Sequence, residues 1–258
     1  MSNTQRLVLL VSLILIGLAF SLVIEPPAMW VLAAILIAIT CVGTDHIIHL
    51  HWRVHIRRHR YAVTLWIVPA LLVFGATLFL RLPVFSGGVA VVAGLAVTGV
   101  LLALVIVSEY RTLDPNDPLY GTARFVLNVV AYLSAFALYT AIYGTKVRSL
   151  VTATAITIVS ALIALELLRG LEARVARNWL YAAVCGLVMG EITWALNYWI
   201  LPGLVGGVFL LLAFYCVTGM MQNYLAGALT HRLAVEFGLV TGLGLAFVAG
   251  ALLLQRPF

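Results

Sequence analysis

Residues 84–108 read VFSGGVAVVAGLAVTGVLLALVIVS, a run without one charged side chain. Crossing the hydrocarbon core of a bilayer takes about 20 apolar residues of helix, and uninterrupted apolar runs beyond about 18 residues mark membrane spans rather than the core of a soluble domain. The run therefore sets the fold class. Working outward from it, hydropathy and helix breakers divide the chain into nine apolar segments: 7–24, 28–44, 61–80, 84–108, 122–143, 148–168, 178–199, 202–221 and 235–254. Turn-forming residues mark the joints at Glu25-Pro26-Pro27, Leu82-Pro83, Asp114-Pro115-Asn116-Asp117-Pro118 and Leu201-Pro202-Gly203. Composition agrees. Of 258 residues, 64% are hydrophobic and only 9% charged, against about 25% charged in soluble domains. The expected fold is an all-α integral membrane protein, one polytopic domain over residues 1–258, built as a bundle of about nine transmembrane helices.

Two segments need a closer reading. The first, 7–24, follows a short tail bearing Arg6 and ends at Glu25-Pro26-Pro27 with no small-x-small cleavage pattern, so it reads as a retained helix rather than a signal peptide. The second, 28–44, is short for a full span unless it continues through Ile47, Ile48 and Leu50. Positive charge then sets the orientation, because cytoplasmic loops retain Lys and Arg during insertion. With the N-terminus cytoplasmic and nine spans, eleven of the 15 cations fall inside: Arg6, Arg53, Arg57, Arg58, Arg60, Arg111, Arg124, Arg169, Arg174, Arg177 and Arg232. Arg81, Lys146, Arg148 and Arg256 stay outside, as does the C-terminus. A re-entrant second segment would move the Arg53-to-Arg60 cluster outside, against the rule. The net charge of +6 is thus the charge of juxtamembrane loops, and no nucleic-acid-reading motif accompanies it. Cys41, Cys185 and Cys216 lie inside apolar runs as packing residues and form no CxxC pair.

Residues 44–60, a cytoplasmic His/Arg-rich loop in this topology, hold five of the six histidines. On a helix His51, His55 and His59 would share one face, and His46 and His49 another. Imidazoles one turn apart can chelate a transition metal or haem, with Asp45 adding a carboxylate, so His46, His49, His51 and His55 are metal-ligand candidates. Arg53, Arg57, Arg58 and Arg60 oppose a dication there, and the same cluster suits anionic lipid headgroups. The other notable residue is Glu191, near the middle of segment 178–199, where insertion scales charge about 2.5–3.5 kcal/mol for a comparable ionised Asp. Helical spacing puts Glu191, Trp194 and Tyr198 on one stripe and Ala182, Gly186, Gly190, Thr193 and Asn197 on another. The second stripe is a close-packing surface, and the first can line a cavity. The alternative for Glu191 is a structural hydrogen bond, to Asn128 or Thr193. Arg124 and Asn128, one turn apart, add a polar patch at the start of the fifth segment. Glu109, Glu166 and Glu236 each have Arg111, Arg169 or Arg232 within about one turn and read as ion pairs. The GxxxG pairs Gly186/Gly190, Gly203/Gly207 and Gly238/Gly242 read as packing between helices of this chain.

The stretches 108–119 (SEYRTLDPNDPL) and 191–199 (EITWALNYW) resemble those of an uncharacterised family of bacterial multi-pass membrane proteins, a domain of unknown function. The resemblance runs from about the fourth segment to the end, leaves out residues 44–60, and implies a bacterial inner (plasma) membrane location without any mechanism. There is no HExxH helix, GxxxxGK[ST] loop, GxSxG elbow or Asp-rich prenyltransferase motif, so no catalytic residue and no cofactor is assigned. Three readings stand. In the first, the protein binds or translocates a small amphipathic or lipid-like molecule, with Glu191, Trp194, Asn197, Tyr198, Asn128 and Arg124 at the ligand and Arg53, Arg57, Arg58 and Arg60 at a headgroup. In the second, it is an intramembrane metal- or haem-dependent enzyme using the His-rich loop. In the third, it is a structural or assembly subunit partnered by another membrane protein.

Overall fold

The computed structural model describes residues 3–49, 64–114, 116–169, 175–199, 201–227 and 231–254. Its described residues form nine α-helices: α1 (Asn3–Val23), α2 (Ala28–His49), α3 (Thr64–Phe79), α4 (Gly88–Arg111), α5 (Tyr120–Gly144), α6 (Ser149–Leu167), α7 (Val175–Leu196), α8 (Gly203–Leu225) and α9 (His231–Leu254). No strand occurs among the described residues. Among the described residues seven helices, α1, α2 and α4 to α8, are long and apolar enough to cross a membrane. By length and composition these are the helices of a multi-pass membrane protein. α2 continues through Ile47 and Ile48 to a length of 22 residues, about 33 Å at about 1.5 Å per residue, which is the extension a full span requires. The described part of α3, 16 residues, covers about 24 Å by the same rise.

The contacts gather into two compact units, residues 1–134 and 135–258. In the first, α3 is apolar all round and buried along most of its length, from Thr64 to Thr77, as a helix without a polar face must be. Helices α1, α2 and α4 pack around it. α1 and α4 turn Leu9, Leu13, Ile16, Phe20, Val89, Val92 and Val100 outward, an apolar exterior that suits lipid and would be costly in water. Arg81 donates to the carbonyls of Ser21 and Ile24 at 3.3 and 2.9 Å, where the end of α1 leaves backbone acceptors unpaired. The turn before α5 is built from side chains: Asp114 Oδ1 accepts from the Asn116 N–H at 3.0 Å and Asp117 Oδ1 from the Leu119 N–H at 2.8 Å. These are Asx turns, which substitute a carboxylate for a backbone acceptor. Arg111 pairs with Asp117 at 3.9 Å, while Glu109 is fully buried on α4.

In the second unit α6 and α7 form an antiparallel hairpin whose seam is made of small residues. A Cβ on Gly186 would lie 2.6 Å from the Thr157 carbonyl oxygen and 2.8 Å from the Ala161 Cβ, and one on Gly190 would strike the Thr157 hydroxyl. Gly203 and Gly207 do the same against Gly144 and Thr140 of α5. The third GxxxG pair differs from the sequence expectation: Gly238 and Gly242 meet no described atom within 4 Å, so they serve no packing seam between described helices. Two buried hydroxyls inside the helices are satisfied by back-bonding, Thr193 to the Met189 carbonyl and Thr218 to the Phe214 carbonyl at 2.7 Å each, which suits an environment without water. Tyr139 and Ser160 share a hydrogen bond of 2.7 Å in the core, and the Tyr143 hydroxyl donates to the Leu196 and Trp199 carbonyls at 3.1 Å. Just beyond α5, Lys146, at φ 48, lays its ammonium 3.6 Å over the Tyr143 ring. Partial burial pushes the lysine below its ordinary value of 10.5.

Candidate functional site

The α6–α7 register decides what the outer face of the hairpin presents. Gly186 and Gly190 face Thr157, Ala161 and Ala153, and the Asn197 amide donates to Thr152 Oγ1 at 2.8 Å. Ala182, Gly190 and Thr193 are buried in the same seam, so the small-residue stripe expected from the sequence is the packing surface. With a period of about 3.6 residues, the stripe roughly 100° away must then face outward. Glu191, Trp194 and Tyr198 do so. Together with Leu187, Gly190 and Ala195 of α7 and Ala153, Thr154 and Thr157 of α6, they line an open groove of about 730 Å³.

Asn197 was expected among the groove residues as well as on the packing stripe, and its side chain is spent in the seam on Thr152. Thr193 is spent on the Met189 carbonyl, which removes it as the structural partner proposed for Glu191. Among the described residues no hydrogen-bond or ion-pair partner reaches Glu191. Its height also differs from the sequence estimate. Because α7 ends at Leu196, Glu191 lies five residues, about 7.5 Å, before the end of the helix.

The groove walls are mostly hydrocarbon and carry few polar groups. Thr154 Oγ1 donates to the Leu150 carbonyl at 2.7 Å and Thr157 Oγ1 to the Ala153 carbonyl at 2.9 Å, so both hydroxyl protons are committed and each oxygen keeps its lone pairs. With the Glu191 carboxylate they make the groove rich in acceptors. Trp194 Nε1 and the Tyr198 hydroxyl supply its donors. Sequence reasoning had no means of finding Thr154, Thr157 or Leu187, because no pattern in one helix gives its register against the next.

The remaining sequence candidates fall elsewhere. Arg124 and Asn128 are half-buried, one turn apart on α5 in the first unit. His46 is exposed beside an apolar groove of about 490 Å³ that includes Leu10, Ile39 and Val42. His51, His55, Arg53, Arg57, Arg58 and Arg60 lie outside the described residues, as does the side chain of His49. No cluster of three or more metal-ligating side chains occurs among the described residues. Glu166 and Arg169 form the expected i,i+3 pair at 3.1 Å, but deep in the protein, with side chains 2% and 8% exposed. Carrying the hairpin register to that end sets the buried Asn178 at their level, and Gln222 donates to the Leu167 carbonyl at 3.3 Å.

A family model described as "Protein of unknown function (DUF5656)" matches residues 7–251, nearly the whole chain. The chain belongs to that family. The DUF5656 match begins in the first segment and so takes in residues 44–60, which the sequence resemblance left out. Neither a curated protein nor a solved structure matches the chain.

Proposed function

We propose that this DUF5656 protein binds a small amphipathic or lipid-like molecule in the groove on the outer face of the α6–α7 hairpin. One observation carries the reading: an ionisable carboxylate, Glu191, stands unpaired beside Trp194 and Tyr198 in an apolar groove of about 730 Å³. That volume lies in the range of about 300–1,000 Å³ usual for small-molecule sites, which combine apolar walls with a few placed polar groups. An intramembrane carboxylate without such a use is a cost with no return. The topology that accompanies the proposal has nine spans, a cytoplasmic N-terminus, an external C-terminus and residence in the plasma membrane, with Arg53, Arg57, Arg58 and Arg60 against anionic headgroups. Eleven of 15 cations on one side support that orientation. It places Glu191 toward the outer leaflet and Trp199 and Tyr198 at the interface.

Native mass spectrometry of the gently purified protein, together with elemental analysis, tests the reading. A retained amphiphile is expected, and Ala195→Phe, which fills the groove from an exposed wall position, is expected to abolish its retention without lowering thermal stability. A bare chain, or retention indifferent to Ala195→Phe, refutes the groove as the site. The assembly-subunit reading is favoured by the open Gly238/Gly242 face of α9, and a co-purifying membrane protein lost on Gly238→Leu would support it.

A further inference from the structure

We infer that the occupant of the groove is an amphiphilic cation whose ammonium group is joined directly to hydrocarbon, held by the Glu191 carboxylate with the faces of Trp194 and Tyr198. The inference rests on the groove being a binding site and names what it selects. Glu191 carries the one formal charge among the groove-lining residues. The back-bonded oxygens of Thr154 and Thr157 add acceptors, so the wall around Glu191 calls for a ligand that donates, while the donors Trp194 Nε1 and the Tyr198 hydroxyl stand three and seven residues farther along. Both residues lie on the Glu191 stripe. Aromatic faces attract a cation within about 6 Å through the ring quadrupole, most strongly where water is scarce.

The order of groups along the groove excludes the commoner zwitterions. From Glu191 toward the middle of α7 the lining is Leu187, with Thr157 across the seam, and neither offers a proton. A phospholipid carrying its ammonium at Glu191 would have to bury its phosphate on that apolar side, between head and tails, with no donor or cation to meet it. The exposed cations of this end, Lys146 and Arg148, precede α6, on the side of Glu191 away from the middle of α7. An anionic amphiphile would face the carboxylate itself. An alkyl ammonium meets the carboxylate, the acceptor oxygens and the hydrocarbon wall in the order the groove presents them.

Three compounds sharing one tail and differing in the head discriminate: decylammonium, decanol and decanoate, titrated calorimetrically against the full chain in nanodiscs, with the Ala195→Phe protein as the blank for partitioning into lipid. Decylammonium is expected to bind at least tenfold more tightly than decanol, about 1.4 kcal/mol, and decanoate more weakly than either. Glu191→Gln is expected to reduce decylammonium to the level of decanol and leave decanol unchanged, while Glu191→Asp, which keeps the charge, retains the preference. Equal binding of decylammonium and decanol, a preference for decanoate, or indifference to Glu191→Gln overturns the inference and leaves the groove as a site for another amphiphile. Failure of all three compounds to bind above the blank removes the groove reading as well.

Discussion

Replacing Gly186 by alanine adds one methyl group where the hairpin has no room for it. The new Cβ would lie 2.6 Å from the Thr157 carbonyl oxygen, 2.8 Å from the Ala161 Cβ and 3.1 Å from the Ala161 nitrogen. Two of those atoms belong to the backbone of α6, so no side-chain rotation relieves the contact and the helices must separate by about the difference from an ordinary contact of about 3.5–4.0 Å. Overpacking of this kind costs about 1–3 kcal/mol, and the helix-propensity gain of alanine over glycine returns about 0.8–1 kcal/mol. The net expectation is a loss of up to about 2 kcal/mol. At about 2–4 °C per kcal/mol for a chain of this size class, the midpoint of thermal unfolding in a mild detergent falls by several degrees. Gly238→Ala supplies the control, because a Cβ there meets no described atom within 4 Å and only the propensity gain remains. The two substitutions are chemically identical, and both fall in GxxxG pairs. Equal melting shifts for Gly186→Ala and Gly238→Ala would refute the argument that backbone proximity in the α6–α7 seam, rather than the motif, sets the cost.

Three further outcomes follow from the same geometry. Arg169→Leu leaves the buried Glu166 carboxylate without the partner it holds at 3.1 Å and is expected to cost about 3–5 kcal/mol, whereas the double change Glu166→Leu with Arg169→Leu recovers much of the loss; chemical unfolding of the three variants checks both. Tyr139→Phe and Ser160→Ala each strand the other end of a core hydrogen bond of 2.7 Å, so each costs about 1–3 kcal/mol and the double variant costs less than their sum; a double-mutant cycle by thermal unfolding decides. Lys146 titrates below its ordinary 10.5 in the folded chain through partial burial, so between the folded and unfolded values the unfolded state binds more protons. Stability is therefore expected to rise with pH through the window just below 10.5, and Lys146→Met to flatten that rise in melting curves collected against pH.

Why some of these features could be read from the sequence and others not comes down to the range of the interaction. Within one helix the angular arithmetic is fixed by the backbone, so the division of α7 into a seam stripe and a groove stripe followed from spacing alone. The i,i+3 pair Glu166–Arg169 followed in the same way. Its burial did not, because burial depends on what packs above it. Asn197 shows the boundary between the two cases. It sits at the edge between the stripes, and only the partner helix, by placing Thr152 Oγ1 within 2.8 Å, decides that it belongs to the seam.

The two stretches that carried the family resemblance can now be divided by what their residues are occupied with. In 108–119, Asp114 and Asp117 accept backbone N–H groups and Asp117 holds Arg111, which accounts for both aspartates by the need to turn the chain and start α5 with its donors satisfied. In 191–199, Thr193 and Asn197 are spent on Met189 and Thr152, and the carbonyls of Leu196 and Trp199 receive the Tyr143 hydroxyl. After those assignments four polar or aromatic side chains of that stretch have no structural employment, Glu191, Trp194, Tyr198 and Trp199, and the first three face the groove. A folded chain gains nothing from leaving a carboxylate unpaired in an apolar wall, so the residue that packing does not explain is the one to substitute first when asking what the protein binds.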